Sequence, residues 1–463
     1  MQTIAIVGAG YSGTICAVNL LRLCRATAPQ PLKIVLIERH SRHGRGLAYR
    51  TWDDNFVLNV PAGNMSALAD DPTHFVRYCQ GIDPAFNAGS FVSRRIYGDY
   101  LEATLEEAAS GSAAMLERAQ GEATAVRQQD GLWTVTCADG RAHQAQRVVL
   151  ALGHFTPQDP APSLALEQSR GYIGNPWDFA ALDHIDDEAP VLLLGAAHTA
   201  IDVLFRLTNR SESRKIYLLS RRGLSLQAHR QHPQSPPLSG FPVFFDGLQP
   251  TIRNYFRALR RAAQARLEHG GDWRDVVNSL RPHTADIWQR LPLAERRRFL
   301  RQAVAYWDIH RHRLAPVAHL RLTQMLKSGQ VEALAGYVQG YAADAAGVTV
   351  TVRERGSSRT RQIRVAKVVN CTGPNYDITR MDAPLIAQLR DEGYLKQDDL
   401  KLGFEVDGDY RVVDAQGQAA TGLFYLGPML KARFWEAIAV PELRGHARRL
   451  AGLLTDTSPY GGA

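Results

Sequence analysis

Residues 3–13, Thr-Ile-Ala-Ile-Val-Gly-Ala-Gly-Tyr-Ser-Gly, decide the fold of this chain. Thr3 to Val7 is a short apolar run with the length of a buried parallel strand. It leads directly into a glycine turn, and Thr14 to Leu23 continues as an apolar, helix-forming segment. A second strand, Lys33 to Ile37, ends on Glu38. Strand, glycine turn, helix, strand and acid in this order predict a βαβ unit that binds a dinucleotide.

Each residue of the glycine turn has a role in this prediction. Gly8 allows the tight turn, Gly10 lets the backbone approach a pyrophosphate, and Gly13 lets the helix pack closely on the strand. Tyr11 and Ser12 lie at the start of the helix, where free N–H groups and a partial positive charge favour phosphates. A glycine turn in an ordinary α/β domain is the alternative interpretation.

The acid at the tip of the second strand, Glu38, is placed to accept hydrogen bonds from a ribose diol. Arg39 begins a basic, glycine-containing loop where the phosphates or flavin ring of a nucleotide would lie, although a solvated loop is equally compatible with its composition. Asn59, Met65 and Gly427 are expected nearer the flavin ring. The other residues expected to contact this first nucleotide are Gly46, Tyr49, Thr124, Ala125 and Gly153.

Composition sets the broad class of the protein. With 463 residues, 45% of them hydrophobic and 22% charged, the chain is typical of a globular protein of two or three domains. No apolar run is long enough to cross a bilayer, and the first strand leaves no room for a signal peptide, so we expect a cytoplasmic protein. Five scattered cysteines form no CxxC pair, which argues against a metal site and a flavin–disulfide reductase. The net charge of +8 suits dinucleotides, small acids or nucleic acid.

A second unit with the same layout follows in the middle of the chain. Val191 to Leu194 is an apolar run with strand character, residues 195–200 form a small-residue turn leading into a helix, and Lys215 to Leu219 is the next strand. Alanine replaces the second and third glycines of the motif, at Ala197 and Ala200. A methyl group at each position still permits fairly close approach, so the unit is predicted to bind a second nucleotide.

The charge at the tip of the second strand distinguishes the two nucleotides. Where the first unit has Glu38, this unit has Arg221 and Arg222. A carboxylate suits a free ribose 2′-hydroxyl, whereas arginine can grip a 2′-phosphate through two hydrogen bonds. We therefore expect FAD in the first unit and NADPH, with NADH possible, in the second, where Gly195 and Thr199 would also contact the cofactor. Plain surface charge is the alternative interpretation of the two arginines.

The second unit repeats the first in its later part as well. Gly347 to Arg353 and Arg361 to Val365 alternate like paired strands, and Val368 to Gly373 mirrors the apolar run Val148 to Gly153, which makes Gly373 a cofactor-binding candidate. The predicted fold is α/β, with two Rossmann-like dinucleotide-binding domains and a helical insertion. The expected limits are 1–157 for the first part of the FAD domain, 158–335 for the NAD(P) domain with its insertion at about 248–319, and 336–463 for a segment that completes both domains.

Two further segments carry predictions. The insertion is rich in arginine and tryptophan, and its cluster His310 to Arg313 suggests contact with an anionic substrate or another subunit, with a solvated face as the alternative. Near the C-terminus, Leu423 to Pro428 is a strand stopped by Gly-Pro, and Arg433 to Leu453 is predicted as a helical run broken near Pro441. This last part is expected to return to the first domain and present helix N–H groups to the flavin pyrimidine.

These modules resemble flavoproteins with two dinucleotide-binding domains, the broad class of flavin monooxygenases and glutathione-reductase-like reductases. A closer resemblance, covering nearly the whole chain, is to bacterial FAD/NAD(P)-binding proteins that include a FAD-dependent urate hydroxylase. The segments that carry it are Gly46 to Tyr49, Leu58 to Pro61, Arg95 to Tyr100, Leu219 to Gly223, Asn370 to Pro374 and Trp435 to Arg444.

The resemblance implies an NAD(P)H-using, oxygen-consuming monooxygenase, with hydroxylation of urate to 5-hydroxyisourate as the leading single activity. A flavin reductase or dehydrogenase that passes electrons to another acceptor is the second hypothesis. A nucleic-acid-associated flavoprotein is the third, although the chain contains no recognisable RNA-binding module. Neither a catalytic acid or base nor the oligomeric state can be named from the residues.

Overall fold

The computed structural model describes residues 1–24, 31–159, 170–230 and 242–455. Its strands are β1 Gln2–Val7, β2 Leu32–Glu38, β3 Met115–Gln120, β4 Ala123–Gln129, β5 Leu132–Cys137, β6 Ala142–Ala145, β7 Arg147–Leu150, β8 Tyr172–Ile173, β9 Val191–Leu194, β10 Ile216–Ser220, β11 Val331–Asp344, β12 Gly347–Glu354, β13 Thr360–Val365, β14 Lys367–Asn370, β15 Arg411–Val413 and β16 Ala419–Tyr425. Its α-helices are Tyr11–Leu23, Gly46–Tyr49, His74–Ile82, Arg94–Ser110, Phe179–Asp183, His198–Arg210, Ile252–Glu268, Trp273–Ser279, Thr284–Arg290, Leu293–Arg298, Val304–Arg311, Pro316–Ser328, Pro384–Asp391 and Val440–Thr455.

The chain divides into two compact units, each formed by separate stretches of sequence. The first unit contains residues 1–154, 284–290 and 376–463, and the second unit contains residues 155–283 and 291–375. The domain limits expected from the sequence, 1–157, 158–335 and 336–463, remain predictions and are separate from this division into two units.

The first unit is built around a six-stranded sheet in the order β15-β16-β7-β1-β2-β3. All neighbours in this sheet are parallel except β15 and β16, which run antiparallel. Ile4 and Ile6 of β1 are fully buried, as expected for a central parallel strand covered on both faces. A separate antiparallel meander consists of β4, β5 and β6, and Gly140 lies in the turn between its last two strands.

The second unit repeats this plan in a seven-stranded sheet with the order β13-β12-β11-β10-β9-β14-β8. Strands β10, β9 and β14 are parallel neighbours, as β2, β1 and β7 are in the first unit. The long strand β11 pairs parallel with β10 through its first half and antiparallel with β12 through its second half. In the first unit these two kinds of pairing belong to separate strands, because β3 extends the parallel sheet and the meander forms the antiparallel one.

The insertion is helical, as the sequence predicts. It contains the helices from Ile252 to Arg311, with a π-helical turn at Phe299–Ala303. The C-terminal prediction is wrong in part, because Arg433 to Ala439 forms turns and the helix begins only at Val440. Pro441 lies in the first turn of this helix, where a missing backbone N–H costs nothing, so it starts the helix and does not break it.

Three further observations concern the cysteines, metal-ligating groups and membrane-spanning helices. All five cysteines are buried and free, and the described ranges contain no group of three or more metal-ligating side chains that could hold an ion. Among the helices that the structure describes, none combines the length and the apolar character needed to cross a bilayer.

Candidate cofactor-binding sites

The first glycine turn joins the carboxyl ends of three strands. Gly8 has a φ of +100°, which L side chains rarely adopt, and its N–H donates to the carbonyl of Ile37 at 2.8 Å. A Cβ atom on Gly8 would lie 2.4 Å from the carbonyl oxygen of Ala151, which directly follows β7. Only glycine fits this position, because a side chain meets both backbone strain and a backbone clash.

The third glycine brings the helix Tyr11–Leu23 against the turn. A Cβ atom on Gly13 would lie 1.8 Å from the carbonyl oxygen of Gly8 and 3.2 Å from Cβ of Ala151. This is the close packing between helix and strand that the motif predicts. The start of the helix is therefore held directly over the carboxyl ends of β1 and β7.

The N-terminus of this helix has no side-chain cap. Gly10 is the capping residue, with extended backbone angles of −72° and −164°, and Tyr11 and Ser12 are the first helical residues. Uncapped N–H groups at the start of a helix form an anion-binding position. Gly10 also lies close to the basic loop, a contact that the motif does not predict. A Cβ atom on Gly10 would lie 3.3 Å from Cα of Gly46.

Glu38 lies at the end of β2 and is almost fully buried. Its Oε2 accepts a hydrogen bond from the N–H of Ala9 at 2.8 Å, and its Oε1 accepts one from the N–H of His40 at 3.2 Å. Each carboxylate oxygen can accept a further hydrogen bond, so the side chain keeps capacity for a ribose diol. The carboxylate is thus fixed beside the glycine turn.

The basic loop after Glu38 is ordered by a buried arginine that the sequence analysis did not single out. Arg45 is only 2% exposed, donates from Nε to Oε1 of Glu102 at 2.9 Å and forms an ion pair with Asp99. Asp99 and Glu102 are three residues apart on one helix, which is the only sequence signal for this partnership. Arg39, in contrast, is well exposed, with its guanidinium 4.0 Å from a carboxylate oxygen of Glu122.

Four predicted residues surround this loop and the meander. Gly46 and Tyr49 begin and end a short helix, and the Tyr49 ring lies 4.7 Å from the ring of the fully buried Tyr97. Thr124 and Ala125 belong to β4, and the N–H of Gly121 just before this strand donates to the carbonyl of Glu38 at 2.8 Å. The structure therefore brings the start of the meander to the edge where Glu38 lies.

Asn59 and Met65 lie in the segment between the helix Gly46–Tyr49 and the helix His74–Ile82. Asn59 is half-buried, and Met65 is buried at the end of a short 3₁₀ turn, where its N–H donates to the carbonyl of Ala62 at 3.0 Å. Their expected place near the flavin ring stays a prediction.

Gly153 and Gly427 lie beyond the carboxyl ends of two neighbouring strands of the first sheet. They follow β7 and β16, which are parallel neighbours, and the N–H of Leu426 donates to the carbonyl of Leu150 at 3.0 Å. Gly427 leads into a 3₁₀-helix, Pro428–Ala432, and not into the longer helix that the sequence suggests. The N–H groups expected to face a flavin pyrimidine would therefore belong to this short turn.

A cation held between aromatic rings follows Gly427. The ammonium nitrogen of Lys431 lies 4.7 Å from the ring centroid of Tyr376 and 4.9 Å from that of Trp435. Trp435 stacks on Trp288 with 4.6 Å between centroids, and His154, directly after Gly153, contacts the Tyr376 hydroxyl at 3.4 Å. Positive charge and aromatic surface thus meet at the carboxyl edge of this sheet. Sequence reasoning missed this group because its members lie far apart along the chain.

The second glycine turn repeats the geometry of the first. Gly195 has a φ of +113°, and its N–H donates to the carbonyl of Leu219 at 2.8 Å. A Cβ atom on Gly195 would lie 2.3 Å from the carbonyl oxygen of Cys371, which directly follows β14. Gly373, two residues further on, corresponds in this repeat to Gly153 of the first unit.

The helix His198–Arg210 starts as its counterpart in the first unit does. Ala197 is the capping residue, with extended backbone angles of −93° and −171° and no side-chain hydrogen bond to the helix. Thr199 lies half-buried in the first turn, and the methyl group of Ala200 is fully buried. The second module thus accommodates an alanine where the first has no room for a Cβ atom.

The two arginines after β10 have different surroundings. Arg222 donates from Nη2 to the carbonyl of Arg301 at 3.1 Å, and its guanidinium lies 5.1 Å from the ring centroid of Tyr306. Arg221 is exposed, and the described part of the chain gives its guanidinium no hydrogen-bond or ion-pair partner. Of the two, Arg221 is the one whose hydrogen-bond donors are available to a phosphate.

Both turns fit the adenine-nucleotide half of a dinucleotide. Each has a glycine at positive φ, an uncapped helix of 13 residues and a backbone with no room for another side chain. Glu38 suits the free ribose of FAD, and Arg221 suits the phosphorylated ribose of NADPH. Fold and sites together define the class of flavoproteins with two dinucleotide-binding domains.

Comparisons with known proteins agree with this class. A family described as FAD-NAD(P)-binding matches residues 5–155. An uncharacterized protein of Mycobacterium tuberculosis is 27% identical over 140 residues, covering 28% of this chain and 25% of that protein. The L-aspartate N-monooxygenase (nitrosuccinate-forming) of Streptomyces cremeus is 28% identical over 235 residues, covering 42% of this chain and 35% of that enzyme.

Solved structures are similar to this chain over nearly its full length. The L-lysine 6-monooxygenase of Pseudomonas syringae has a TM-score of 0.67 and 18% identity, and the match covers 98% of each chain. At this identity the likeness concerns the fold, and it confirms the predicted α/β architecture with two dinucleotide-binding domains. The curated relatives are matched over only a quarter to about a third of their length. FAD and NAD(P)H are the cofactors for which the two modules are built.

Proposed function

We propose that this chain is a FAD-dependent NAD(P)H monooxygenase that hydroxylates an amine nitrogen of a small amino acid or amine. The observation that carries the proposal is the pair of matched nucleotide turns, at Gly8 and Gly195, in one chain whose fold spans the whole length of a lysine monooxygenase. The partial match to an aspartate N-monooxygenase supports the same reaction class.

The proposed roles of the residues follow from their surroundings. The turn from Gly8 to Gly13, with Glu38, binds the adenosine diphosphate part of FAD, and the turn at Gly195, with Arg221, binds NADPH. When bound, FAD supplies the redox chemistry, accepting a hydride from NAD(P)H and activating molecular oxygen. Lys431 and its aromatic neighbours provide positive charge and a partly apolar wall at the edge of the first sheet, a suitable environment for an anionic part of the flavin or of the substrate.

The choice of an amine substrate rests on two of the proteins similar to this chain, the L-aspartate N-monooxygenase and the L-lysine 6-monooxygenase, because both act on amino acids. Hydroxylation of urate stays a prediction from the sequence resemblance, and the comparisons give it no support. A flavin reductase is the remaining alternative, but its disulfide branch needs a pair of redox cysteines. The five cysteines here are all buried and unpaired.

The test combines a spectrum with a substrate screen. The purified protein, supplied with FAD, should show a bound-flavin spectrum and oxidise NADPH faster when L-lysine, L-ornithine or L-aspartate is present, and the product should score positive in a colorimetric hydroxylamine assay. Urate is the comparison substrate. NADPH oxidation that is stimulated by urate, with loss of urate absorbance and no hydroxylamine, would replace the amine proposal with the purine one.

Two other outcomes separate the remaining alternatives. Oxidation of NADPH that responds to quinones or dyes but to none of these substrates would indicate a reductase. A protein that takes up no FAD would contradict the flavoprotein assignment as a whole. Cytoplasmic localisation and the absence of a nucleic-acid partner stay predictions.

A further inference from the structure

The second unit contains a buried arginine that has no counter-ion in the part of the chain that the structure describes. Arg313 is only 4% exposed, and its Nη2 donates to Oδ1 of Asn278 at 2.5 Å. Its Nε is buried and lacks an acceptor, and within residues 1–24, 31–159, 170–230 and 242–455 no carboxylate lies within 4.0 Å of the guanidinium. Among the residues that the structure describes, a neutral amide oxygen is therefore the only acceptor for this charged group.

The acidic side chains nearby are committed to other arginines. Asp272 accepts a hydrogen bond from Nε of Arg230 at 2.8 Å, and Arg274 lies 3.3 Å from the same carboxylate. Asp275 pairs with Arg230 and, at 3.0 Å, with Arg266. This cluster thus contains more guanidinium groups than carboxylates. Neither carboxylate pairs with Arg313, the most buried of these arginines.

Arg313 remains charged despite these surroundings. Burial, followed by the neighbouring arginines, lowers the pKa of Arg313 to about 9. This value is above neutral pH, so the guanidinium keeps its proton under ordinary conditions. A buried charge without a partner is costly, and the cost falls when an opposite charge binds beside it.

The backbone around the cluster is fixed. The N–H of Leu314 donates to the carbonyl of Gln227 at 2.9 Å, and Ala228 forms a parallel bridge with Leu314. Arg274 donates from Nε and Nη2 to the carbonyl of Ala228, at 2.9 and 2.8 Å. The ring of Trp273 lies 4.4 Å from the Arg274 guanidinium and 5.9 Å from that of Arg313. Arg313 is therefore held by paired backbone on one side and a helix on the other.

We propose that Arg313 is the centre of a binding site for an oxyanion, a planar carboxylate or a phosphate group. The arginine side chain offers N–H donors in a planar fork that matches the oxygens of either group. An anion here would supply the missing acceptor for Nε and offset the surplus positive charge of the cluster. The anion could belong to a phosphate of NADPH or to a separate acidic ligand. The site does not depend on the monooxygenase proposal, since it is defined by contacts within the second unit.

The test measures anion binding to the full chain without turnover. Thermal unfolding is followed at constant ionic strength while inorganic phosphate, succinate or NADP⁺ is added, with the wild type beside Arg313→Met and Arg260→Met. Arg260 is an exposed arginine of the helix Ile252–Glu268 and has no partner among the described residues, so its variant removes the same charge from the same insertion. We expect Arg313→Met to raise the half-saturating concentration of the active anion at least tenfold and Arg260→Met to change it less than twofold.

A second readout separates binding from a merely structural role. Without added anion, Arg313→Met should melt no lower than the wild type, because methionine removes an uncompensated charge while keeping much of the volume. A lower melting temperature with an unchanged response to anions would overturn the proposal, and so would a wild type that responds to none of the three probes. A response to NADP⁺ alone would assign the site to the cofactor, whereas a response to phosphate or succinate would assign it to a separate anion.

Discussion

Single atoms decide where glycine is required in the two nucleotide turns. The motif predicts three glycines, but the second module has alanine at the second and third positions. The structure explains the difference at Gly13 and Ala200. A Cβ atom on Gly13 would lie 1.8 Å from a backbone oxygen, whereas the methyl group of Ala200 is buried without displacing the turn.

A matched pair of substitutions tests this contrast. Gly13→Ala should lower the free energy of unfolding by about 2 kcal/mol or more, because the added methyl group forces the helix away from the turn. Ala200→Gly should cost only about 1 kcal/mol, the usual penalty for glycine inside a helix. Urea unfolding of both variants gives the two values. Equal costs would show that the helix of the first module has more room than its geometry indicates.

A preference for NADPH over NADH would also depend on single residues, the two arginines that follow β10. No described residue accepts a hydrogen bond from the guanidinium of Arg221, whereas Arg222 donates to the carbonyl of Arg301 and lies over the ring of Tyr306. We expect Arg221→Ala to raise the KM for NADPH about tenfold or more with little change for NADH, since it removes a charge-assisted contact to the 2′-phosphate. Arg222→Ala is the matched control and should have the smaller effect on the ratio of the two KM values. The opposite order would give the phosphate-binding role to Arg222.

The site residues that sequence reasoning missed share one property. Arg45 and Lys431 are both placed by contacts between segments that lie far apart in sequence. The glycines and Glu38, in contrast, act through backbone geometry within some forty residues and so leave a local pattern. Local patterns can be read from one sequence, whereas tertiary partners cannot.

At the level of elements, prediction succeeded where local preference and tertiary role agree. Strands β1, β2 and β9 are buried apolar runs, and they form where the sequence places them. Strand β3 was missed because its sequence, Met-Leu-Glu-Arg-Ala-Gln, consists of good helix formers, and pairing with β2 holds it extended. Arg433 to Ala439 was predicted as helix for the same kind of reason, yet Glu436 adopts a φ of +73° in a turn.

The C-terminal helix provides a prediction about pH. His446 of the helix Val440–Thr455 contacts the hydroxyl of Tyr410 through Nδ1 at 2.9 Å, and burial lowers the pKa of His446 to about 4. The unfolded chain, with an ordinary histidine pKa of 6.5, binds a proton more readily than the folded chain. The contribution of His446 to stability is therefore present above pH 6.5 and is lost as the pH falls towards 4.

The magnitude and the control follow from this shift. Between pH 7 and pH 4.5 the wild type should lose about 2 kcal/mol more unfolding free energy than His446→Gln, whose side chain does not titrate. Urea unfolding at several pH values gives both curves. Curves that stay parallel over this range would mean that the histidine is solvated and does not support the helix.

At the level of the whole molecule, the excess positive charge has one location. Residues 248–319 contain fourteen arginines, no lysine and six acidic residues, so the insertion alone accounts for the net charge of +8. The remainder of the chain has equal numbers of basic and acidic residues. The overall charge therefore says little about the nucleotide turns, whose specificity comes from individual side chains such as Glu38 and Arg221. The excess positive charge belongs to the insertion, which also contains Arg313.

The assignment of one cofactor to each module predicts two separate patterns of protection. If the turn at Gly8 binds FAD, then FAD should slow hydrogen exchange in residues 1–154 and 376–463. If the turn at Gly195 binds NADPH, then NADP⁺ should slow exchange in residues 155–283. The helix beginning at His198 should show the largest effect of NADP⁺, because its first N–H groups would face the phosphates.

Two variants make this a double comparison. Glu38→Gln should weaken the protection by FAD and leave that by NADP⁺ unchanged, because its carboxylate serves only the first module. Arg221→Ala should do the reverse. Mass-spectrometric hydrogen exchange measures both in the full chain, and loss of both protections in either variant would mean that the modules do not bind their cofactors independently. Matched losses, each confined to one module, would show that the repeat seen in the backbone is also a repeat in function, with ligand choice set at the tip of the second strand.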